Sequence, residues 1–466
     1  MKKLLLVFML ILFAVSGYGQ DITGAWNGVL DVMGKKLRIV FNVTLSDSGY
    51  VATMDSPDQG AKGISVTKTT YLKPDIKFEL PVLGIVYEGK LENDTMFVGN
   101  FKQSGFTFPM ELTRSEPVVE KPNRPQEPEK PYPYISEDVK FENRKDGIVF
   151  AGTLTMPDKQ GEYPAVVLIS GSGQQNRDEE VMGHRPFLVL SDYLTRQGIA
   201  VLRFDDRGTA ESGGDAAGAT SADFTNDVKA AVEYLKTRKE IDKKHIGLIG
   251  HSEGGIIAPM VAVGSDDIDF IVLLAAPGVQ GYKLLLKQQE AIAKASGLPP
   301  QLIEKSNSIN EHLYEIILKS GNDSLLNKKM TLYLTKALPE LTGSNTIQGM
   351  SIGKYAAMQV KQLTSPWMIY FLRYDPVPVL EKVKCPVLAI NGSKDLQVDA
   401  KMNLNAVKLA LMKGGNSDVT VKELPGLNHL FQECNAGLPT EYSTIEQTFS
   451  PMALEVISGW IKSQVE

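Results

Sequence analysis

Gly250-His251-Ser252-Glu253-Gly254 sets a serine between two glycines, the pattern G-x-S-x-G. The meaning of that pattern depends on its flanks. Ile246 to Ile249, an apolar run, precedes it and reads as a buried strand, and the small-residue run from Gly255 to Ala262 reads as a helix. Between strand and helix the chain must turn sharply, which glycine permits. The serine hydroxyl then stands clear of the sheet, on a strained backbone that the two elements hold in place.

A serine hydroxyl is a weak nucleophile until a base takes its proton and a third group holds that base. Of the five histidines, His184 and His312 fall in helical patterns, His245 begins a strand, and His251 adjoins the serine where the turn would point it away. His429, in Gly426-Leu427-Asn428-His429, follows the last strand and is the expected base. The acid should follow the preceding strand, where Gly392-Ser393-Lys394-Asp395 supplies Asp395, with Asp399 as the fallback. Asp399 precedes a helix and reads as its N-cap. An oxyanion formed at the acyl carbon needs backbone donors. One is the amide of Glu253; the other is expected at Ser172, in Ser170-Gly171-Ser172-Gly173-Gln174, with Gly173 and Gln174 close behind.

Other chemistries fit less well. Gly171-x-Gly173 is followed by Asn176 where a dinucleotide-binding loop needs a third small residue, and no phosphate-binding G-x-x-x-x-G-K-[ST] occurs. Neither H-E-x-x-H nor a convincing Cys/His spacing is present, so no metal and no cofactor is expected. Together the motifs resemble those of the α/β-hydrolase superfamily, and within it the serine aminopeptidase-like and dienelactone hydrolase-like esterases. The resemblance rests on Gly171-Ser172-Gly173 with Arg177-Asp178, on Asp205-Asp206-Arg207-Gly208-Thr209-Ala210-Glu211-Ser212, on the serine pentapeptide, and on Asp395 and His429 following it in chain order. Ala210 stands where the family pattern D-x-R-G-x-G-x-S has glycine, and Ser170 where many relatives carry histidine. The resemblance implies carboxylic ester hydrolysis, with short-to-medium acyl groups. Related families cleave short peptides from the amino end; that task needs an acid to hold the substrate ammonium, for which Glu253 and acidic residues of the cap are available.

These residues need a sheet whose carboxyl edge gathers them. From residue 136 the pattern alternates strand and helix, which predicts a mostly parallel sheet. Strands are expected at 138–142, 148–155, 165–170, 199–205, 245–251, 270–276, 387–391 and 419–424, the first two as an antiparallel hairpin at the edge. Helices are expected at 186–197, 222–236, 255–263, 399–412 and 444–463. Residues 279–375 break the alternation and carry helical periodicity, which predicts a helical cap over the sheet. Its Tyr355, Met358, Trp367, Met368, Tyr370 and Phe371 could line an apolar pocket or simply pack the cap down.

The rest of the 466 residues has a different character. Met1-Lys2-Lys3, then the apolar run Leu4 to Val15, then Ser16-Gly17-Tyr18-Gly19 read as a secretion signal, with cleavage expected after Gly19 and no cysteine at the cut to accept a lipid. A protein exported by a bacterium to the periplasm or beyond is expected, without a membrane span. Residues 20–115 hold eight short alternating runs divided by turn residues, which predicts a small antiparallel β-barrel or sandwich of accessory, structural role. Residues 116–135, rich in proline and charge, read as a semi-rigid linker. A net charge of −6 argues against a nucleic-acid partner. Two cysteines, Cys385 and Cys434, exclude a disulfide framework and leave a single bridge open. The expectation is thus an exported serine hydrolase acting on a small acyl ester or peptide-like substrate, with a thioester hydrolase or aminopeptidase on the same triad as alternatives. The rival of another class is a non-catalytic envelope binding protein; it has no need to keep serine, acid and histidine in order.

Overall fold

The computed structural model describes residues 21–466 except 33–34, 47–48, 60, 104–105, 116–122, 322–324, 345 and 348–349. The expected secretion signal lies outside the described residues. The chain divides into two units, Met1–Glu120 and Lys121–Glu466.

In the first unit, nine strands form one sheet in the order Ala61–Ser65, Gly49–Ser56, Lys35–Ser46, Gly24–Val32, Phe106–Thr113, Met96–Gln103, Ile85–Asn93, Asp75–Leu80, Lys68–Leu72. Ser65 and Lys68, close in sequence, therefore lie on opposite edges. The sheet rolls so that the two edges approach each other. Val66 N–H donates to Ala52 O (3.1 Å) on one side and Thr67 N–H to Glu79 O (2.9 Å) on the other. The result is a rolled, half-barrel sheet, and the run expected at Ile64–Thr70 is two strands. Alternation along each strand turns Trp26, Phe41, Phe78, Tyr87 and Phe97 inward, all fully buried.

The second unit contains an eight-stranded sheet: β1 (Ile135–Asn143), β2 (Ile148–Met156), β3 (Tyr163–Ile169), β4 (Ala200–Phe204), β5 (Ile241–His251), β6 (Phe270–Leu274), β7 (Val387–Gly392) and β8 (Val419–Leu424). Their spatial order is β1-β2-β4-β3-β5-β6-β7-β8. β1 and β2 pair antiparallel, as does β2 with β4; every other pairing is parallel. Central strands such as β6 and β7 are buried throughout, because helices cover both faces. On one face pack α2 (Ser221–Thr237) and α3 (Gly254–Val263), joined by a later helix, Ala400–Lys413. On the other pack α1 (Pro186–Arg196) and the last helix, Pro451–Val465. That last helix starts seven residues later than 444; Pro451 takes its first turn, where a missing N–H is harmless.

Between β6 and β7 the cap is helical, as its periodicity predicts: α4 (Gly281–Ala295), α5 (Pro300–Lys319), α6 (Leu326–Thr342), α7 (Ile352–Leu363) and α8 (Pro366–Arg373). It has its own core around Leu313, Ile317, Met330, Leu334 and Val360. It meets the sheet unit where Leu284 and Phe371 pack on Ile256 and Val398. Phe371 thus serves packing, and Met358 is on the outside, 37% exposed. Among the described residues, no helix is long and apolar enough to cross a membrane.

Candidate active site

β5 ends at His251, and the chain reverses at Ser252, whose φ is 52°. A side chain on Gly250 would bring its Cβ to 2.1 Å from Gly254 O, and one on Gly254 would come to 2.2 Å from Ile169 O. Both glycines are therefore dictated by close backbone approach. Ser252 N–H donates to Leu274 O (2.8 Å), which fixes the strained residue to β6. Ser252 is half-buried.

Asp395 and His429 come together from the loops after β7 and β8. Their side chains are buried, and His429 Nδ1 lies 2.8 Å from Asp395 Oδ2. The other carboxylate oxygen accepts the N–H groups of Gln397 (2.8 Å) and Val398 (2.9 Å). Asp395 is thus an acceptor on both oxygens, and the imidazole carries its proton on Nδ1, leaving Nε2 to act as a base. Asn428 sets the turn that presents His429: its Oδ1 accepts the N–H groups of Leu430 (3.0 Å) and Gln432 (2.9 Å). Asp399 instead caps the helix Ala400–Lys413, accepting Met402 N–H at 2.8 Å.

The His429 ring lies 4.8 Å, centre to centre, from that of His251, the residue before the serine. Among the described residues Ser252 Oγ has no hydrogen-bond partner; bonds of this kind commonly tighten only around bound substrate. Among the described residues the amides of Ser172 and Glu253 have no acceptor, whereas Gly171 N–H is taken by Glu179 Oε1 at 2.6 Å. The loop of Ser172 closes on the elbow, since a Cβ on Gly171 would lie 3.2 Å from that of Ser252.

The surrounding shell is rich in buried carboxyls. Glu253, 2% exposed, accepts Ser221 Oγ–H (2.6 Å) and, from the cap, Trp367 Nε1–H (2.8 Å), both on Oε1. Its Oε2 has no protein partner, and Glu253 lines a cavity of about 20 Å³ with Ser170, Gly171 and Asp206, room for one water. Burial holds the Glu253 carboxyl above the ordinary glutamate range. Asp206 accepts Gln175 N–H (2.9 Å) and Ser170 Oγ–H (2.8 Å). Burial nevertheless pushes its carboxyl up to about 7, and the charges of Glu179 and Glu253 add to the rise. Ser170 thus has a task of its own in tying the loop after β3 to the loop after β4. In that second loop Ala210 adopts φ 46°, a conformation suited to glycine.

Two side chains that spacing alone does not reveal stand beside the elbow. His251 Nδ1 lies 2.9 Å from Glu179 Oε1, and its Nε2 lies 3.0 Å from His429 O. Burial opposes charge on the His251 ring, but the adjacent Glu179 carboxylate, the bond to His429 O and the charge of Asp395 together raise the pKa above the ordinary histidine value. No residue pattern marks Glu179, which is fixed by its positive φ of 50° and by the fold. Among the described residues no group of three or more His, Cys, Asp or Glu is arranged to hold a metal, and both cysteines are free thiols.

Residues 185–370 match the family model of the serine aminopeptidases, S33, a stretch that includes Ser252 and ends before Asp395. The chain is 26% identical over 280 residues to the esterase EstD of Thermotoga maritima, covering 60% of this chain and 57% of that protein. It is 26% identical over 259 residues to the thiohydrolase apmlB of Arthrinium phaeospermum, covering 53% of this chain and 78% of that protein. Among solved structures it is similar to an esterase of Pyrococcus furiosus, with a TM-score of 0.44 and 18% identity over 75% of this chain and all of the other. The strand order is that of the α/β-hydrolase fold, and the sequence matches agree with it. Within that fold, residues 185–370 are similar to the serine aminopeptidases, and the wider chain is similar to the esterase EstD.

Proposed function

We propose that this chain is an exported serine hydrolase that cleaves carboxylic esters through an acyl-enzyme on Ser252. The observation that carries the reading is the buried Asp395–His429 pair, held beside a strained serine elbow. His429 Nε2 takes the proton of Ser252 Oγ as the oxygen attacks the acyl carbon. The amides of Glu253 and Ser172 donate to the oxyanion so formed. His429 then passes the proton to the leaving alcohol as the C–O bond breaks. Water repeats the sequence on the acyl-enzyme, releasing the acid and restoring the serine.

Relatives named esterase and thiohydrolase support an acyl ester or thioester substrate. The pattern of residues 1–19 supports export. The test is turnover by the mature protein of esters, thioesters and aminoacyl amides, with Ser252→Ala as control. Esters are expected to turn over, with kcat lowered at least ~10⁴-fold by Ser252→Ala in a protein of unchanged melting temperature. Turnover of amides alone would overturn the esterase reading. A folded parent protein that a fluorophosphonate fails to label would overturn the serine nucleophile.

A further inference from the structure

Three loops must hold their places for the proposed chemistry: the one carrying Ser172, the elbow carrying Ser252, and the one carrying His429. A single buried pair touches all three. Glu179 Oε1 receives Gly171 N–H (2.6 Å) from the first loop and faces His251 Nδ1 (2.9 Å) at the elbow. His251 Nε2 then reaches His429 O (3.0 Å) in the third. The side chains of His251 and Glu179 are 8% and 3% exposed, so water does not compete for these bonds.

We propose that His251 is a standing imidazolium and, with Glu179, a positioning pair that clamps the oxyanion loop to the His429 loop across the nucleophile elbow. The proposal rests on the serine-hydrolase reading above and adds residues to it that touch neither substrate nor reacting atoms. The charge follows from the partners. A carbonyl oxygen only accepts, so Nε2 must carry a hydrogen. Glu179 Oε1, already an acceptor for Gly171, takes its second hydrogen from Nδ1. Both ring nitrogens therefore donate, which is the cationic form. The groups facing the ring are consistent with it: Glu179 on one side, the His429 ring and the Asp395 carboxylate behind it on the other, and Phe431, whose ring centre is 6.4 Å away. Glu179 is one of the few non-glycine residues at positive φ, a strain that a fold retains where the surroundings over-determine it. A side chain on Gly171 would crowd Glu179 Oε1 and Ser252 Cβ, each 3.2 Å from where its Cβ would be. The clamp is thus tight on both sides.

Two measurements test this. The first reads the ring nitrogens of ¹⁵N-histidine-labelled protein by NMR, with His251→Gln assigning the signal among five histidines. Both nitrogens of His251 are expected to remain protonated at pH 7, above the ordinary histidine value. One unprotonated nitrogen at pH 7 would overturn the charge assignment. The second is steady-state kinetics of Glu179→Gln and His251→Gln on an ester that the parent turns over. Glu179→Gln keeps an oxygen for Gly171 N–H and removes only the charge, so it is expected to fold even if the alanine variant does not. Displacing a catalytic group by an ångström lowers the rate up to ~100-fold. The expected outcome is therefore kcat lowered about 10- to 100-fold with KM within twofold. Folded variants with parental kcat would overturn the positioning role. A parent that neither labels with a fluorophosphonate nor turns over ester would sink the hydrolase reading and the positioning role with it, while the NMR result would still decide the charge on His251.

Discussion

At the scale of single residues, two aspartates near the end of β7 have different tasks. Asp395 holds His429 in the tautomer that leaves Nε2 free, while Asp399 holds a helix end. Asp395→Asn is expected to lower kcat about 10⁴-fold, because an amide in that place favours the wrong tautomer. Asp399→Ala should leave kcat near parental and lower stability by about 1 kcal/mol, the worth of a cap. Equal kinetic losses in the two variants would reverse the assignment. Asp206 allows a test by pH. Its carboxyl titrates at about 7 in the folded protein against 3.8 for the free group, so the folded state binds its proton more tightly. Its contribution to stability is complete below pH 3.8 and disappears as pH rises through about 7. The melting temperature of the parent minus that of Asp206→Asn should therefore decline across that window and then level off. A flat difference would show that Asp206 titrates normally. The sharp turn at Ser252 and the meeting of Asp395 with His429 were legible in sequence, since a strand ends just before each of the three. Glu179 and His251 as partners were not, because their meeting depends on a φ of 50° and on which way a ring turns, neither of which has a spacing.

At the scale of elements, the cap is joined to the elbow through one bond. Trp367 on α8 donates to Glu253, whose own amide is a proposed oxyanion donor. Trp367→Phe keeps the stacked ring on Phe371 but leaves a buried carboxyl with one donor fewer. Stability should fall by about 1–3 kcal/mol, and KM should rise more than kcat falls, because the cap shifts over the substrate while the triad stays. An unchanged KM and melting temperature would separate the cap from the elbow. The central strands of the sheet were readable because buried parallel strands are continuous apolar runs, β1 because it alternates, and the cap because a long helical interval interrupts the pattern. The rolled sheet of the first unit was readable as antiparallel, but its ninth strand was not. Val66 and Thr67 carry the chain from one edge to the other without a turn residue between Ser65 and Lys68. The last helix misled in the same way: residues 444–450 are not helical, although Thr444 to Ser463 reads as one amphipathic run.

At the scale of the whole molecule, the question is where the catalytic unit begins. Composition marks 116–135 as linker, but from Asn123 onward this segment is tied to the hydrolase unit. Arg124 donates to Ile445 O (2.6 Å) and Ser443 O (3.2 Å), and Gln126 bonds Phe449 O (2.6 Å) and Thr448 N–H (2.7 Å). Glu127 accepts both the backbone N–H (3.1 Å) and the Nε–H (2.8 Å) of Arg185. Phe449 in turn stacks on Phe431, two residues after His429, so this strap supports the loop that presents the base. A protein beginning at Lys121 should fold with its own core and hydrolyse esters at the parental rate. One beginning at residue 136 loses Arg124, Gln126 and Glu127 with their bonds, at roughly 0.5–1.5 kcal/mol for each bond and more where a buried partner is left bare, and also buried Tyr134 and half-buried Ile135 at the start of β1. It should melt several degrees lower than the Lys121 form and show a smaller kcat, because the His429 loop loses its backing. Equal melting temperatures and rates for the two truncations would show that the strap is a spacer after all, and that the base loop is held by the sheet alone.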